Sequence, residues 1–216
     1  MILFGVRSPL VVEYEETCNR LGLTIELAVS LHGAPRLLDL SRVVELDALP
    51  PSVAGKKFIA CAFVPSRRME LTAQAEEIGL VPAAALIDPS AVLAWSVCIG
   101  DGSFVNAGVV VGAVSMIGND VLVNRSASLG HHTILGDHVS IGPGATLAGN
   151  IRVGAGAVIG AGATVLPHIR IGENALVAAG SVVRNHVPDG VLVAGNPARK
   201  YPHNPKKSSL YVEHEE

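Results

Sequence analysis

Between Ile87 and Pro188 the apolar positions recur every six residues. Counting from Ile87, an aliphatic residue opens each hexad: Ile87, Leu93, Ile99, Val105, Val111, Ile117, Val123, Leu129 and onward to Val177 and Val183, with none missed. Four places later stands a small or β-branched residue, as at Ala91, Ser103, Val109, Ala127, Thr133, Ala145 and Ser181. The place directly after the aliphatic is often Gly, as at Gly100, Gly112, Gly130, Gly142 and Gly160. An amphipathic helix repeats its apolar face about every 3.6 residues and a half-buried strand about every 2. A period of six fits neither. It fits a prism in which each hexad supplies one flat face and a corner. Three hexads then close a coil of 18 residues, and coils stack by parallel pairing about 4.8 Å apart. The opening aliphatics line the interior as ladders, each stabilising by roughly 1.5–3 kcal/mol before the entropy of ordering is subtracted. The second inward place takes small or β-branched residues, and Gly relieves the Cβ clash where the chain turns.

Residues 1–85 have another rhythm. Ile2–Val6 is a short apolar run that predicts a strand. Ser8 suits a helix N-cap and Pro9 the first helical position, so a helix is expected over Leu10–Leu21, stopped by Gly22. Leu23–Val29 predicts a second strand, Val43–Leu46 another, and Phe58–Val64 a buried one. Ser66 is placed to cap a helix running to Ile78 and ending at Gly79, after which Leu80–Leu86 is extended. Strand–helix–strand units of this size imply a small Rossmann-like α/β domain with a parallel sheet flanked by helices. The expected division is therefore a small α/β substrate-binding domain over 1–85, the prism over 86–200, and a polar tail over 201–216 with Lys206 and Lys207 exposed.

Composition narrows the possible functions. Only 16% of the 216 residues are charged and the formal net charge is −3, which argues against a nucleic-acid surface. The mean hydropathy of +0.43 reflects the ladders, since no apolar run approaches the ~20 residues needed to span a membrane. Met1–Arg7 lacks the basic start and long apolar run of an export signal, and the expected location is the cytoplasm. Cys18, Cys61 and Cys98 are odd in number and lack metal-ligand spacing, so they are expected to be buried free thiols.

Two kinds of place suit chemistry. In parallel α/β sheets ligands gather at the carboxyl ends of strands, near helix N-termini. The turns Gly5-Val-Arg7-Ser8 and Pro65-Ser66-Arg67-Arg68 occupy such places, and their Arg and Ser side chains suit phosphate or carboxylate. The alternative for both is ordinary capping with solvated arginines. In the prism, aliphatics fill the interior, so catalytic groups must sit on corners. His131 occupies one, and its neighbours at a separation of 18 are Ala113 and Gly149, both small enough to leave room beside the imidazole. Asn106 and Asn124 also stack at 18, where Asn tolerates the left-handed backbone of a corner. His132, Asn150, His168 and His186 read as a further column; two adjacent histidines without a third ligand make a weak metal site, and no metal is expected.

The hexads resemble those of the left-handed parallel β-helix acyltransferases with hexapeptide repeats. Ile87-Asp-Pro-Ser-Ala91, Val123-Asn124, Gly130-His131, Gly144-Ala-Thr-Leu-Ala-Gly-Asn150 and Val193-Ala-Gly-Asn-Pro-Ala-Arg199 are similar to segments of the sugar O- and N-acetyltransferases of the sialic acid O-acetyltransferase type. That resemblance implies a homotrimer with acetyl-CoA between neighbouring prisms, left-handed coils, and an acceptor that is a nucleotide-linked amino sugar. It implies His131 as general base and Asn124 as an active-site asparagine. It implies Gly149 as the backbone donor to the acetyl carbonyl, with Ser140, Ala161 and Ala179 at acetyl-CoA contacts. By the same resemblance the acceptor meets the N-terminal domain, through Arg7, Ser8 and Ser30. The sequence departs from the family pattern at three places. His132 stands where an acidic residue usually follows the histidine. Ser140 replaces a second histidine. The first turn reads Gly5-Val-Arg-Ser-Pro-Leu10, and Val29-Ser30-Leu31 lacks the acidic pair expected there.

The reading is an acetyl-CoA-dependent N-acetyltransferase working by direct transfer. O-acetylation of a sugar, a sialic acid or another small acceptor is the alternative. A zinc hydratase would need three histidines converging across subunits, and a scaffold would need no base at all.

Overall fold

The computed structural model describes residues 1–31 and 34–202; the expected tail from residue 203 onward, including Lys206 and Lys207, lies outside the described residues. The N-terminal part is a parallel five-stranded sheet made of β1 (Ile2–Phe4), β2 (Leu27–Ser30), β3 (Val43–Glu45), β4 (Lys57–Ala60) and β5 (Val81–Pro82), in the order β3-β2-β1-β4-β5. Helix α1 (Val11–Leu21) follows β1, and α2 (Pro65–Glu77) follows β4. Alternation along the strands feeds two cores. Leu3, Ala28 and Ile59 pack with Val11, Tyr14 and Cys18 of α1, whereas Ile2, Phe4, Val29 and Phe58 pack with Leu71 and Ala75 of α2.

Both helices start differently from expectation. α1 begins at Val11 with Leu10 as an uncapped N-cap, and Ser8 sits in the turn before it, where its carbonyl accepts from Val11 N at 2.9 Å. α2 begins at Pro65 rather than after Ser66, because the fixed φ and missing N–H of proline suit the first helical position. Gly22 ends α1 with φ 64°, in the left-handed conformation expected of it.

From Leu86 the chain winds into a prism of three parallel sheets. Its first face runs from Leu86–Ile87 through Phe104–Val105 and Leu122–Val123 to Leu176–Val177; its second from Val92–Leu93 to Val182–Val183; its third from Cys98–Ile99 to Arg170–Ile171. Paired strands are 18 residues apart, as in Val110↔Ser128 and Leu122↔Ser140. The ladder residues from Val105 to Val183 form one continuous buried core. The corner glycines mark where successive coils touch: a Cβ on Gly112 would lie 2.5 Å from the His131 backbone nitrogen. The turn itself is made two residues further on, where every sixth residue adopts positive φ. His132 (57°), Asn150 (59°) and His168 (62°) occupy that slot at one corner.

The last coil is shorter. Ile171 bridges Val187 and Leu176 pairs with Leu192, a separation of 16 in each case. His186 therefore falls beside Arg170, whose N–H it accepts at 3.1 Å, and not beside His168 as the 18-residue column had it. The chain then reverses, and Arg199–Lys200 pairs antiparallel with Val193 and Ala194. Of the three thiols, Cys18 and Cys61 are buried and free as expected. Cys98 is exposed, because it takes the outward position of the third face.

The two parts are held together by stacking, by ion pairs and by one buried arginine. Tyr14 of α1 stacks on Phe104 of the first face with centroids 4.0 Å apart. Asp88 accepts from Thr17 (3.1 Å) and pairs with Arg20 (2.7 Å), both on α1. Arg68 of α2 is 1% exposed. It donates to the carbonyls of Asp120 (2.6 Å), Ala62 (2.7 Å), Phe63 (3.0 Å), His138 (2.7 Å) and Val139 (3.1 Å), and to Ser140 Oγ (3.0 Å). Burial pulls its guanidinium down to about 10, still well above neutral pH, so it remains charged. Removing it strands several buried carbonyls at once. Arg68→Ala is expected to destabilise the fold by about 3–5 kcal/mol, read as a lowered urea midpoint, with Arg68→Lys also costly because an ammonium cannot reproduce the planar fork. A midpoint within error of wild type for Arg68→Ala would contradict this account.

Candidate active site

The corner between the second and third faces carries His131. Its backbone is fixed on every side. The carbonyl of Gly130, one residue earlier, accepts from Thr133 Oγ1 (2.7 Å) and Ser115 Oγ (3.3 Å). The His131 carbonyl accepts from Asn150 N (2.9 Å), and the His132 N–H donates to Ala113 O (2.9 Å). The exposed imidazole lies across the coil below, over Gly149: a Cβ there would come within 2.6 Å of both Nε2 and Cε1. The Gly149 N–H has no hydrogen-bond partner among the described residues. On its other side the ring meets His132, with Nδ1 to Nδ1 at 3.0 Å. His131 thus presents Nε2 beside an unengaged backbone donor.

The remaining residues singled out from the sequence fall elsewhere. Asn124 lies one prism face away, at the corner between the first and second faces. It is 7% exposed, and its Oδ1 accepts from Asn106 Nδ2 (2.9 Å) and Arg125 N (2.8 Å), so the stacked pair is an asparagine ladder that fixes the corner. Ala161 and Ala179 are exposed at that same corner, linked by the Gly180 N–H to the Ala161 carbonyl at 2.8 Å. A single chain does not bring this corner to His131. Ser140 is fully buried: its hydroxyl donates to Phe63 O at 2.6 Å and accepts from Arg68. Within the chain its side chain therefore faces the junction of the two parts and not the surface.

At the carboxyl ends of β1 and β4 a cavity of about 250 Å³ is lined by Gly5, Arg7, Ser8, Leu31, Cys61, Ala62, Arg67 and Leu71. The two turns read from the sequence converge on it. Arg7, Ser8 and Arg67 take part, while Arg68 points away into the junction. Ser30 is buried at the end of β2, next to the lining residue Leu31. Cys61 was missed as a lining residue because the strand was expected to run to Val64, whereas β4 ends at Ala60; burial pushes its thiol far up, so it lines the cavity as an inert group. A larger cavity, of about 420 Å³, lies between α1 and residues 37–42. It opens at the amino end of β2, and the Glu15 carboxylate on its wall is already engaged by the N–H groups of Leu38 (2.6 Å) and Asp39 (2.9 Å).

The contact between His131 and Gly149 leaves no room for a methyl group. In a crystal structure of Gly149→Ala the His131 ring is expected to swing off the corner, while thermal stability stays close to wild type because the ring is exposed. A ring left in place would contradict the packing described.

The bacterial transferase hexapeptide family (six repeats) matches residues 115–149 and 150–185. No curated protein matches the chain by sequence. Among solved structures, a histidine-to-asparagine mutant of perosamine N-acetyltransferase from Caulobacter crescentus, in complex with CoA and GDP-perosamine, is 30% identical with a TM-score of 0.86, over 94% of this chain and 96% of that one. The acetyltransferase domain of PglB from Neisseria gonorrhoeae FA1090, in complex with acetyl coenzyme A, is 31% identical with a TM-score of 0.79, over 93% and 98%. WeeI from Acinetobacter baumannii AYE is 28% identical with a TM-score of 0.78, also over 93% and 98%. Repeat, prism and likeness along nearly the whole chain agree, and the chain belongs to the hexapeptide-repeat sugar acetyltransferases of the left-handed β-helix type.

Proposed function

We infer that this chain transfers the acetyl group of acetyl-CoA to the amino group of a nucleotide-linked amino sugar, with His131 as general base. The observation that carries this reading is the His131 imidazole seated over Gly149, whose backbone N–H has no partner among the described residues. Neutral His131 accepts a proton at Nε2 from the acceptor amine as it attacks the thioester carbonyl. The Gly149 N–H donates to the oxyanion of the tetrahedral intermediate, whose charge it stabilises more strongly than that of the ground-state carbonyl. Collapse expels the CoA thiolate, which takes up a proton. The bound CoA and GDP-perosamine of the Caulobacter relative support both substrates.

The site is completed by a neighbouring subunit. His131 occupies one edge of the second face, and Asn124, Ala161 and Ala179 the other. The outward residues of that face, Val92, Val110, Ser128, Thr146, Thr164 and Val182, carry no charge. Three copies meeting over this face bring the His131 corner of one against the Ala161 corner of the next, and acetyl-CoA lies in the seam of the homotrimer. Residues 1–85 act as the acceptor-binding domain and 86–200 as the acyltransferase domain. The 3-2-1-4-5 parallel order supports the Rossmann-like reading of the former, with ligand at the carboxyl ends of the strands. Arg7 and Ser8 hold the anionic part of the acceptor, with Ser30 buried behind the cavity wall, and Arg67 adds a second cation.

Thiol release from acetyl-CoA is expected with at least one of the UDP-, GDP- or dTDP-linked 4-amino sugars and not with free sialic acids; turnover of none of the nucleotide sugars would sink this reading. His131→Ala should lower kcat by about 10²–10⁴-fold. Arg7→Ala should raise KM for the nucleotide sugar several-fold while KM for acetyl-CoA holds; a change in both would place Arg7 outside the acceptor site.

A further inference from the structure

The corner that presents His131 also imposes a partner on it. His132 takes the left-handed slot of the turn, with φ 57°. Its ring stands edge-to-face against that of His131, with planes at 89° and centroids 5.2 Å apart. The two Nδ1 atoms are 3.0 Å apart, hydrogen-bond distance for a pair in which one nitrogen donates and the other accepts. If His132 donated, neutral His131 would carry its hydrogen on Nε2, the atom over Gly149, and would have no lone pair there. If His131 donates, Nε2 is bare. Among the described residues no carboxylate is paired with either ring.

We propose that His132 is a positioning residue for the transfer reaction: its Nδ1 accepts the Nδ1–H of His131, which fixes the base in the tautomer that leaves Nε2 free for the acceptor. The inference rests on the reading of His131 as base and adds the group that orients it. An acidic residue in this place would orient the ring and also supply negative charge to the imidazolium that forms. A neutral imidazole supplies only the orientation. The exposed His131 ring is then left to water for stabilisation of its charge. The left-handed turn at His132 sets its side chain beside the one before it.

Three substitutions that respect the left-handed backbone test this. His132→Asn keeps a hydrogen-bond acceptor, His132→Gly removes it, and His132→Asp adds a carboxylate. His132→Asn is expected to retain kcat within about 3-fold, while His132→Gly loses on the order of 10- to 100-fold in kcat with both KM values nearly unchanged. In His132→Asp the acid limb of the kcat/KM profile should move to higher pH, since a carboxylate favours the imidazolium. Nitrogen-15 NMR of the imidazoles should show His131 hydrogenated on Nδ1 and His132 on Nε2. Wild-type kcat in His132→Gly, equal losses in the Gly and Asn variants, or the opposite tautomers would overturn the proposal. His131→Asn separates the two levels. If it is inactive while His132→Gly is fully active, the base stands and the pairing falls. If it is fully active, the base reading falls and takes the pairing with it.

Discussion

The closeness of successive coils is the constraint from which the rest of the prism follows. Backbone N–H groups reach the carbonyl 17 residues on, as in Phe104 to Val121 (2.8 Å) and Gly130 to Leu147 (2.7 Å). At that separation the corner backbones nearly touch: a Cβ on Gly130 would lie 2.7 Å from the Gly149 nitrogen. The interior then admits one aliphatic ladder and one small or β-branched residue per face, and a one-residue slip would turn the ladder outward. Even the buried hydroxyls obey this. Ser103 donates to the Gly118 carbonyl at 2.9 Å, so a polar atom is tolerated inside without going unpaired. The seat of His131 over Gly149 is a local instance of the same stacking.

The N-terminal sheet reaches the prism through a second, polar constraint. Arg68 makes six hydrogen bonds from one guanidinium, four of them across the junction to the prism, and Ser140 completes the network. Burial raises the Asp120 carboxyl beside it, against the opposing pull of His138 and Arg68. Arg67, the preceding residue, lines the cavity at the carboxyl ends of the strands. The helix that offers one arginine to the cavity is thus anchored to the prism by the next. The cavity is thereby tied to the prism that carries His131.

The prism was legible in the sequence because ladder positions are buried whatever else the chain does, and burial leaves a period. The 18-residue arithmetic placed Ala113 and Gly149 beside His131 for the same reason. It failed at His186, where the last turn loses two residues while Val183 and Val187 still satisfy the hexad rhythm. Arg67 and Arg68 look alike in sequence, and only the docking of two separate parts decides which is buried. The helix starts were misread for a local reason: Ser8 and Ser66 are good caps, but proline geometry and the preceding turns set the boundaries. The contact between His131 and His132 was within reach of the sequence once the left-handed slot was known to recur every six residues, since Asp120, Ser126, His138 and Asn174 occupy it at other corners.

A stack of parallel coils ends in a row of unpaired backbone groups, and such a row invites a further strand from another molecule. Here the final coil shortens, the His186 imidazole takes the N–H of Arg170, and the chain doubles back so that Arg199–Lys200 lies antiparallel along the last edge of the first face. The direction is wrong for another parallel coil, and the side chains on that edge are charged. The same reversal that ends the repeat therefore serves as protection against end-to-end growth into fibres, a hazard of any solenoid whose rungs are alike.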